Sequence, residues 1–264
     1  VYKEFTDDKS EADWIARQII DLKARGESYL DMAVLYRSNY LSRVLEQVFS
    51  RHQIPYIIYG GQSFYDRMEI RDMIAYLRMI SHGDDLALRR SVAKPRRGIG
   101  EKTIADYALR AQEKSSSIYQ MMHFDYLNGK SSKNISAYVE LIENLKEDAL
   151  NLPLDRLIET VFQKTGLRKF YQDRSELDRQ DSVRELANDA KSFIDDHLDA
   201  DLIDYLQMIS LYTDKAESKE NEVVRLMTVH AAKGLEFENV FIPGLADGIF
   251  PNRISIVEGR HGVE

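Results

Sequence analysis

The sequence predicts an α/β fold in which a parallel-sheet domain is interrupted by a mostly α-helical insertion. Apolar runs of strand length alternate with helical periodicity in residues 1–62. Helical periodicity alone fills residues 63–221, and apolar runs return in residues 222–264. Because continuous apolar runs are typical of strands covered on both faces, we expect a parallel sheet. Residues 1–62 and 222–264 would form one domain, and residues 63–221 would form the inserted one.

The first part of the chain predicts a short strand at "VYKEF" (residues 1–5), followed by a helix. Ser10 is the predicted N-cap of that helix. Its apolar face, at helical spacing, would consist of Trp14, Ile15, Ile19 and Leu22. The apolar run "MAVLY" (residues 32–36) then predicts a buried strand.

A second helix and a third strand complete this segment. Ser38 or Asn39 would cap the helix, and its apolar face would be formed by Leu41, Val44, Leu45 and Val48. The strand "YIIY" (residues 56–59) ends at a glycine pair. This βαβαβ order is typical of α/β sheets, which bind ligands near the carboxyl ends of their strands.

The rest of the chain predicts helices first and then two more strands. Helical patterns occur in "EIRDMIAYLRMI", "AYVELIENL", "LDRLIETVF" and "LIDYLQMISLY". The polar stretches "NGKSSKN" and "DKAESKEN" predict loops, and the runs "VVRLMTV" and "NVFIPGL" predict strands. The insertion would therefore begin after a third strand and end before the last two.

Composition limits the classes of function. The chain has no cysteine, which excludes disulfides and cysteine-ligated zinc. No apolar run approaches the roughly 20 residues that a membrane span needs, and we expect a cytoplasmic protein without membrane contact. The net charge of -8 argues against a chain that coats nucleic acid along its whole surface. The six histidines show no metal-ligand spacing, and we expect no metal site.

Two stretches predict ligand contacts in the sheet domain. In "VLYRSN", Tyr36 and Arg37 stand at the end of a buried strand, where an aromatic ring can stack on a base and a guanidinium can bind phosphate. A rim tyrosine and a surface arginine are the structural alternative. In "HAAKGLEF", Gly234 permits a tight turn between ionisable neighbours. The alternative there is a plain turn with solvated charges.

A third stretch, "KPRRGIGEKT" (residues 94–103), lies in the helical insertion. Six basic residues crowd this region: Arg89, Arg90, Lys94, Arg96, Arg97 and Lys102. Gly98 and Gly100 precede a predicted helix that begins near Thr103. Backbone N–H groups at such a helix start favour an anion, so we expect contact with nucleic-acid phosphates. A solvated charge run is the alternative.

These stretches together resemble the UvrD/Rep/PcrA family of superfamily 1 DNA helicases, closest to its PcrA type. The segments "FENVFIPGLADGIFPN" and "YGGQSFYDRMEIRDMIAYLR" extend the similarity over essentially the whole chain. The resemblance implies that residues 1–62 and 222–264 are the RecA-like, P-loop NTPase-like domain 2A. Residues 63–221 would be the inserted domain 2B. It also implies ATP hydrolysis with Mg²⁺ and 3′ to 5′ movement on single-stranded DNA in the parent protein.

The resemblance also implies roles for individual residues. Tyr36 would stack on adenine, Arg37 would contact the γ-phosphate, and Glu236, with Gly234 beside it, would bond the ribose. His230, with Thr228 and Lys233, would contact single-stranded DNA and couple it to the nucleotide. The duplex backbone would be met by the segment that contains Arg96, Arg97, Gly98, Gly100 and Thr103.

Parts of the family pattern are missing from these 264 residues. They contain no G-x-x-x-x-G-K-[ST] motif, and neither domains 1A and 1B nor the motif with a second phosphate-binding arginine is present. We therefore expect a fragment of a longer protein. It would bind no cofactor tightly and would be inactive alone, because phosphoryl transfer needs the P-loop, the metal and the arginines together.

Two other readings stay open at this point. The helical insertion could be a regulatory or protein-interaction module, or the parent could be a subunit of a helicase–nuclease. Repair or replication proteins are further expected partners.

Overall fold

The computed structural model describes residues 2–174, 177–213 and 222–246. The chain divides into two compact units. The first, here the sheet unit, consists of Val1–Asp66 and Leu211–Glu264, and the second, here the helical unit, consists of Arg67–Ser210. The polypeptide thus leaves the sheet unit once and returns to it.

Four parallel strands form the sheet, in the order β2-β3-β1-β4. They are β1 (Met32–Tyr36), β2 (Tyr56–Ile58), β3 (Val224–Thr228) and β4 (Asn239–Phe241). β1 and β3 pair in register, with Tyr36 opposite Thr228. The predictions of a parallel sheet and an α/β fold are confirmed, and the strands at 32–36 and 56–58 lie where the apolar runs predict them.

Two helices of the sheet unit bury their apolar faces in its core. They are α1 (Asp8–Ala24) and α2 (Ser42–Arg51). Ile15, Ile19, Leu45 and Val48 are each at most 3% exposed, because their helical spacing places them on one side of their helix. Trp14, Leu22 and Leu41 pack against the same core from its margin. The predicted apolar faces are therefore confirmed.

The predicted strand at residues 1–5 is wrong for the residues that the structure describes. Residues 2–5 pair with no strand. Phe5 packs instead against Trp14 with ring centroids 5.7 Å apart, and the Lys3 ammonium lies over both rings. Side-chain packing on α1 thus replaces pairing with the sheet. Two strands, not three, precede the helical unit.

Both predicted helix caps are also wrong. Asp7 caps α1 by accepting a hydrogen bond from the Ser10 backbone N–H at 2.6 Å, so Ser10 lies within the first turn. A short 3₁₀ helix, Asn39–Leu41, precedes α2. Because that turn occupies the predicted cap positions, α2 begins only at Ser42 and no side chain caps it.

Nine α-helices and no strand occur in the described residues of the helical unit. The first five are α3 (Met68–Ser81), α4 (Asp85–Ala93), α5 (Glu101–Glu113), α6 (Ile118–Leu127) and α7 (Lys133–Asn151). The other four are α8 (Leu154–Lys164), α9 (Leu167–Gln172), α10 (Leu177–Asp196) and α11 (Leu202–Thr213). The predicted helices in this block are confirmed. The loop "DKAESKEN" lies outside the described residues.

Buried polar groups fix how these helices pack. The Asp72 carboxylate, 1% exposed, lies 2.6 Å from the Arg90 guanidinium and accepts a 2.6 Å hydrogen bond from the Tyr171 hydroxyl. Asp125 accepts hydrogen bonds from Tyr107 and from both terminal nitrogens of Arg110. Since a buried carboxylate is costly unless it is paired, each cluster favours one arrangement of its helices.

Candidate functional site

The carboxyl ends of β2, β3 and β1 meet at one edge of the sheet. β3 lies between the other two strands. The Val229 N–H donates to the Tyr36 carbonyl at 2.9 Å, and the Tyr59 N–H donates to the Leu226 carbonyl at 2.9 Å. These bonds bring Arg37, the segment after β3 and the glycine pair after β2 to the same edge, where parallel α/β sheets bind ligands.

Tyr36 and Arg37 differ in their access to a ligand. The Tyr36 side chain is completely buried in the core of the sheet unit, so stacking on adenine would require the ring to turn out of that core. Arg37 is half-buried, and no described side chain forms an ion pair or a hydrogen bond with its guanidinium. Of the two, only Arg37 is placed to meet an anion.

The segment after β3 forms a tight turn, here the 228–236 turn. The Thr228 hydroxyl accepts a hydrogen bond from the Ala231 N–H at 3.2 Å, and the Thr228 carbonyl accepts from Ala231 and Ala232. Gly234 has a φ of +85°, so the predicted tight turn is confirmed there. Thr228 therefore holds the backbone of the turn.

The ionisable side chains of this turn are all exposed to solvent. His230, Lys233 and Glu236 make no ion pair with any described residue. His230 comes at the start of the turn and Glu236 at its end. The turn can therefore offer a cationic or hydrogen-bonding contact at one end and a carboxylate acceptor at the other.

Sequence reasoning missed the contact of this turn with the segment after β2. Gly60 has a φ of +70°, and a Cβ built on it would lie 3.4 Å from the Ala231 side chain. The sequence signal that could have indicated this contact is the Gly60-Gly61 pair just after β2. Gly60 permits the left-handed backbone that brings this segment beside the 228–236 turn.

The basic residues of the helical unit do not form a single free patch. Arg90 and Lys94 face the buried Asp72 carboxylate at 2.6 and 3.4 Å. Arg89 lies 3.5 Å from Glu101. The expectation that all six cations crowd around one phosphate site is therefore too broad, because three of them have acidic partners within the unit.

Arg97 also points into the helical unit. Its Nη2 donates at 2.7 Å to the Tyr76 hydroxyl and at 2.7 Å to the Thr165 carbonyl. The Tyr76 hydroxyl in turn donates to the carbonyls of Ser91 and Lys94. Burial raises the pKa of Tyr76, so it stays a neutral donor. Sequence reasoning treated Arg97 as a phosphate contact, yet its guanidinium is engaged by the protein.

Other groups of this loop are open to solvent. Arg96 is exposed and pairs with no described residue. Gly98 has a φ of +70°, and its carbonyl accepts a 3.0 Å hydrogen bond from the Asn134 amide. Gly100 is the N-cap of α5 and brings no capping side chain. The first-turn N–H groups of α5 are therefore left for another acceptor.

The start of α5 differs from the prediction by two residues. The helix begins at Glu101 and not near Thr103, which lies in the first turn. Gly100 has the extended N-cap conformation, with a φ of -84° and a ψ of 163°, and no side chain caps the first turn. Asn134 is a residue of this site that sequence reasoning missed, because it lies on another helix, α7, 36 positions from Gly98.

The described residues offer neither a metal site nor a membrane-spanning helix. No group of three or more His, Cys, Asp or Glu side chains in the described part is placed to hold a metal ion. Among the same residues, no helix is both long and apolar enough to cross a membrane.

The sequence is also similar to known proteins. Residues 1–263 match the family model of the UvrD-like helicase C-terminal domain. Over 273 residues and all of this chain, the sequence is 34% identical to the ATP-dependent DNA helicase PcrA of Staphylococcus aureus strain MRSA252. It is also 34% identical, over 95% of the chain, to the PcrA helicase of Staphylococcus epidermidis strain ATCC 35984.

The chain spans 36–37% of the length of these two relatives. The family model, in contrast, matches it almost from end to end. The chain belongs to the family of UvrD-like helicase C-terminal domains.

Proposed function

We propose that this chain is the C-terminal part of an ATP-dependent DNA helicase that moves 3′ to 5′ on single-stranded DNA. One observation carries the proposal. The Val229 N–H is bonded to the Tyr36 carbonyl at 2.9 Å, so an unpaired arginine and the 228–236 turn follow neighbouring strand ends. A nucleotide held at one strand end and DNA held at the other would then act on adjacent backbone segments.

On the nucleotide side, the groups present fit ATP in part. Arg37 would contact the γ-phosphate, since a half-buried guanidinium that pairs with no described acid can bind a phosphate. Glu236 is exposed and would accept hydrogen bonds from ribose hydroxyls, with Gly234 allowing close approach. Tyr36 would stack on adenine only after leaving the core. Bound ATP would supply the phosphoryl group that is transferred to water. We assign the P-loop and the residues that hold Mg²⁺ to the remainder of the parent protein.

On the DNA side, His230 and Lys233 would contact single-stranded DNA while Thr228 holds the turn that carries them. A change at this turn passes through one backbone hydrogen bond to the residue before Arg37. This short connection would couple DNA contact to nucleotide contact.

The two compact units suit the domain assignment. We propose that the sheet unit is the RecA-like domain 2A and that the helical unit is the inserted domain 2B. In 2B, Arg96, Gly98, Gly100 and Thr103 would meet the duplex backbone, and Arg97 would hold their loop in place. The domains 1A and 1B of the parent protein, both forms of DNA at a junction, and repair or replication proteins would be the partners, in the cytoplasm.

The test is the ATPase rate of the full-length protein that contains this chain. Arg37→Ala should lower kcat by roughly a hundredfold or more, as loss of an arginine that stabilises phosphoryl transfer does. Arg51→Ala is the matched control, because Arg51 is an exposed arginine of the same unit without an acidic partner in the described residues. If the two substitutions lower kcat equally, Arg37 is not part of the nucleotide site.

A further inference from the structure

We propose a second DNA-backbone contact in the helical unit, on residues 165–169, which carry Arg168 and Lys169. This segment, here the 165–169 turn, would extend the surface that begins at Arg96. The inference rests on the proposed function, in which residues 96–103 meet the duplex.

Two contacts place the 165–169 turn beside the loop of residues 95–100. Arg97 donates a hydrogen bond to the Thr165 carbonyl at 2.7 Å. A Cβ built on Gly166 would lie 3.8 Å from the Pro95 ring. Arg96 lies between Pro95 and Arg97, the two residues that contact the 165–169 turn. Arg96 and the turn are therefore close in space, although they lie far apart in sequence.

The cations of the turn have no acidic partner among the described residues, whereas several cations elsewhere in the helical unit are paired. Arg168 and Lys169 are exposed and form no ion pair or side-chain hydrogen bond with any described residue. Elsewhere in the unit, Lys164 pairs with Asp148, and Arg110 pairs with Asp125. Exposed cations without a described acidic partner therefore lie close together at Arg96 and the 165–169 turn, in a chain whose net charge is -8.

The turn is held rigidly by its own residues. The Thr165 hydroxyl donates to the Val161 carbonyl at 2.6 Å, and Gly166 adopts a φ of +78°. Leu167 and Tyr171 are fully buried, and the Tyr171 hydroxyl donates to Asp72 at 2.6 Å. Because its backbone is fixed, the turn can present its two cations without first losing conformational freedom.

The chemistry favours a nucleic-acid backbone over a protein partner. Arginine and lysine are the side chains that neutralise phosphates, and such contacts bind without reading sequence. A protein interface would call for exposed aromatic or apolar anchors at its centre. The two residues presented between the buried Leu167 and the half-buried Phe170 are instead both cations.

The experiment is fluorescence anisotropy with the full-length protein and a labelled duplex that has a 3′ single-stranded tail. Arg168→Glu/Lys169→Glu should weaken binding by about tenfold or more near 0.1 M salt, and the slope of log K against log salt should fall by about 2. The neutral variant Arg168→Gln/Lys169→Gln should show the same change in slope. Binding of single-stranded DNA without a duplex should stay unchanged.

The control is Arg156→Glu/Lys191→Glu, a charge reversal of the same size, in which Arg156 pairs with Glu159 at 2.9 Å and Lys191 has no described acidic partner. These two cations border a cavity near the beginning of α8, whereas the 165–169 turn follows the end of that helix. The control should retain the affinity and the salt slope of the unmodified protein. Far-UV circular dichroism of every variant checks that the helices are intact.

Each other outcome has a defined meaning. If Arg96→Glu weakens duplex binding and both 168/169 variants do not, the second contact is refuted while the proposed duplex surface stands. If neither Arg96→Glu nor the 168/169 variants change duplex binding, both proposals for the helical unit fail. If the 168/169 variants abolish binding of a protein and leave DNA binding intact, the turn is a protein interface.

Discussion

Arg97 donates a 2.7 Å hydrogen bond to the carbonyl oxygen of Thr165, which lies 68 positions later in the chain. The same guanidinium nitrogen donates to the Tyr76 hydroxyl. Arg97 therefore links α3, the loop before α5 and the turn after α8. The adjacent Arg96 is exposed and bonds to no described residue. Arg97 therefore holds the loop in place, and Arg96 is open to a ligand.

Arg96 and Arg97 should differ in the salt dependence of duplex binding. Arg96→Ala should lower the slope of log K against log salt by about 1, because one phosphate contact is lost. Arg97→Ala should reduce affinity with little change of slope, because it displaces the loop without removing a phosphate contact. Anisotropy titrations of the full-length protein at several salt concentrations measure both. A slope change with Arg97→Ala as large as that with Arg96→Ala would contradict the distinction.

Arg97→Lys provides a second check on this residue. A single ammonium cannot reproduce the planar guanidinium fork that reaches both Tyr76 and Thr165. The lysine variant should therefore behave like Arg97→Ala in thermal unfolding and in DNA affinity. Full recovery by lysine would indicate that only the positive charge matters, as expected of a direct phosphate contact.

His230→Ala should weaken DNA-stimulated ATPase activity more than basal activity in the full-length protein. His230 starts the 228–236 turn on the proposed DNA side, and the turn is bonded to the strand that leads to Arg37. His52→Ala is an unsuitable control, because His52 bonds to Asp13 at 2.7 Å. Arg51→Ala, at an exposed cation of the same unit without an acidic partner in the described residues, is the control instead. An equal fall of basal and stimulated rates would refute the coupling role of His230.

The two glycines before α5 should respond differently to substitution by alanine. Gly98 has a φ of +70°, and a Cβ there would meet the Asn134 amide at 2.5 Å. Gly98→Ala should therefore cost about 1–3 kcal/mol of stability from backbone strain alone. Gly100 has a φ of -84° with open space around it, so Gly100→Ala should cost less, roughly 0.5–1 kcal/mol for alanine in place of glycine at an N-cap.

Duplex affinity then separates the roles of these glycines. If Gly100→Ala weakens duplex binding in a protein that stays folded, DNA approaches the backbone closely at that position. Normal affinity of both alanine variants would contradict a phosphate contact at this loop.

Asp125 should make the helical unit sensitive to acid. Hydrogen bonding from Arg110, and secondarily from Tyr107, outweighs partial burial and lowers the pKa of Asp125 to about 2. A folded-state pKa below the unfolded value of about 3.9 gives stability that is complete above pH 5 and is lost as the pH falls towards 2. The contribution at neutral pH is about 2 kcal/mol by this linkage.

Asp125→Asn tests this pH dependence. The variant should lower the far-UV circular dichroism melting temperature at pH 7 and lose that difference as the pH approaches 2. Trp14 is the only tryptophan of the chain and lies in the sheet unit, so its fluorescence reports on the other part of the molecule. A stability difference that is independent of pH would show that Asp125 acts through packing rather than charge.

The 264-residue chain expressed alone should neither hydrolyse ATP nor unwind DNA. Its sequence contains no P-loop motif, and the phosphate cradle cannot be replaced by one arginine. A coupled ATPase assay with single-stranded DNA tests this directly. A steady-state rate of ATP hydrolysis above that of the Arg37→Ala variant of the same chain would contradict the prediction.

Hydrophobic periodicity accounts for what the sequence could predict. The predicted strand Met32–Tyr36 has the same bounds as β1, and four of its five residues are buried. A strand that is covered on both faces needs such an unbroken apolar run. The helical faces were likewise readable, since burial follows the 3.6-residue period. The turn at Gly234 was readable because few residues other than glycine adopt its backbone angle.

Contacts between distant residues account for what the sequence could not predict. The direction of Arg97 depends on Tyr76 and Thr165, and Asn134 reaches Gly98 across 36 positions. The segment of residues 2–5 has a strand-like composition, yet ring packing on Trp14 decides its structure. The burial of Tyr36 is a property of the whole core. None of these follows from local pattern.

The strand order has a consequence for synthesis on the ribosome. β3 lies between β1 and β2, which do not pair with each other, and β3 is made only after the whole helical unit. At about 5–20 residues per second, the roughly 160 residues between β2 and β3 take about 8–30 s to translate. During that interval β1 and β2 lack β3, the strand that pairs with both. The helical unit, in contrast, is already being synthesised and can begin to fold. Translation therefore supplies every residue of the helical unit before it supplies the strand that joins β1 to β2.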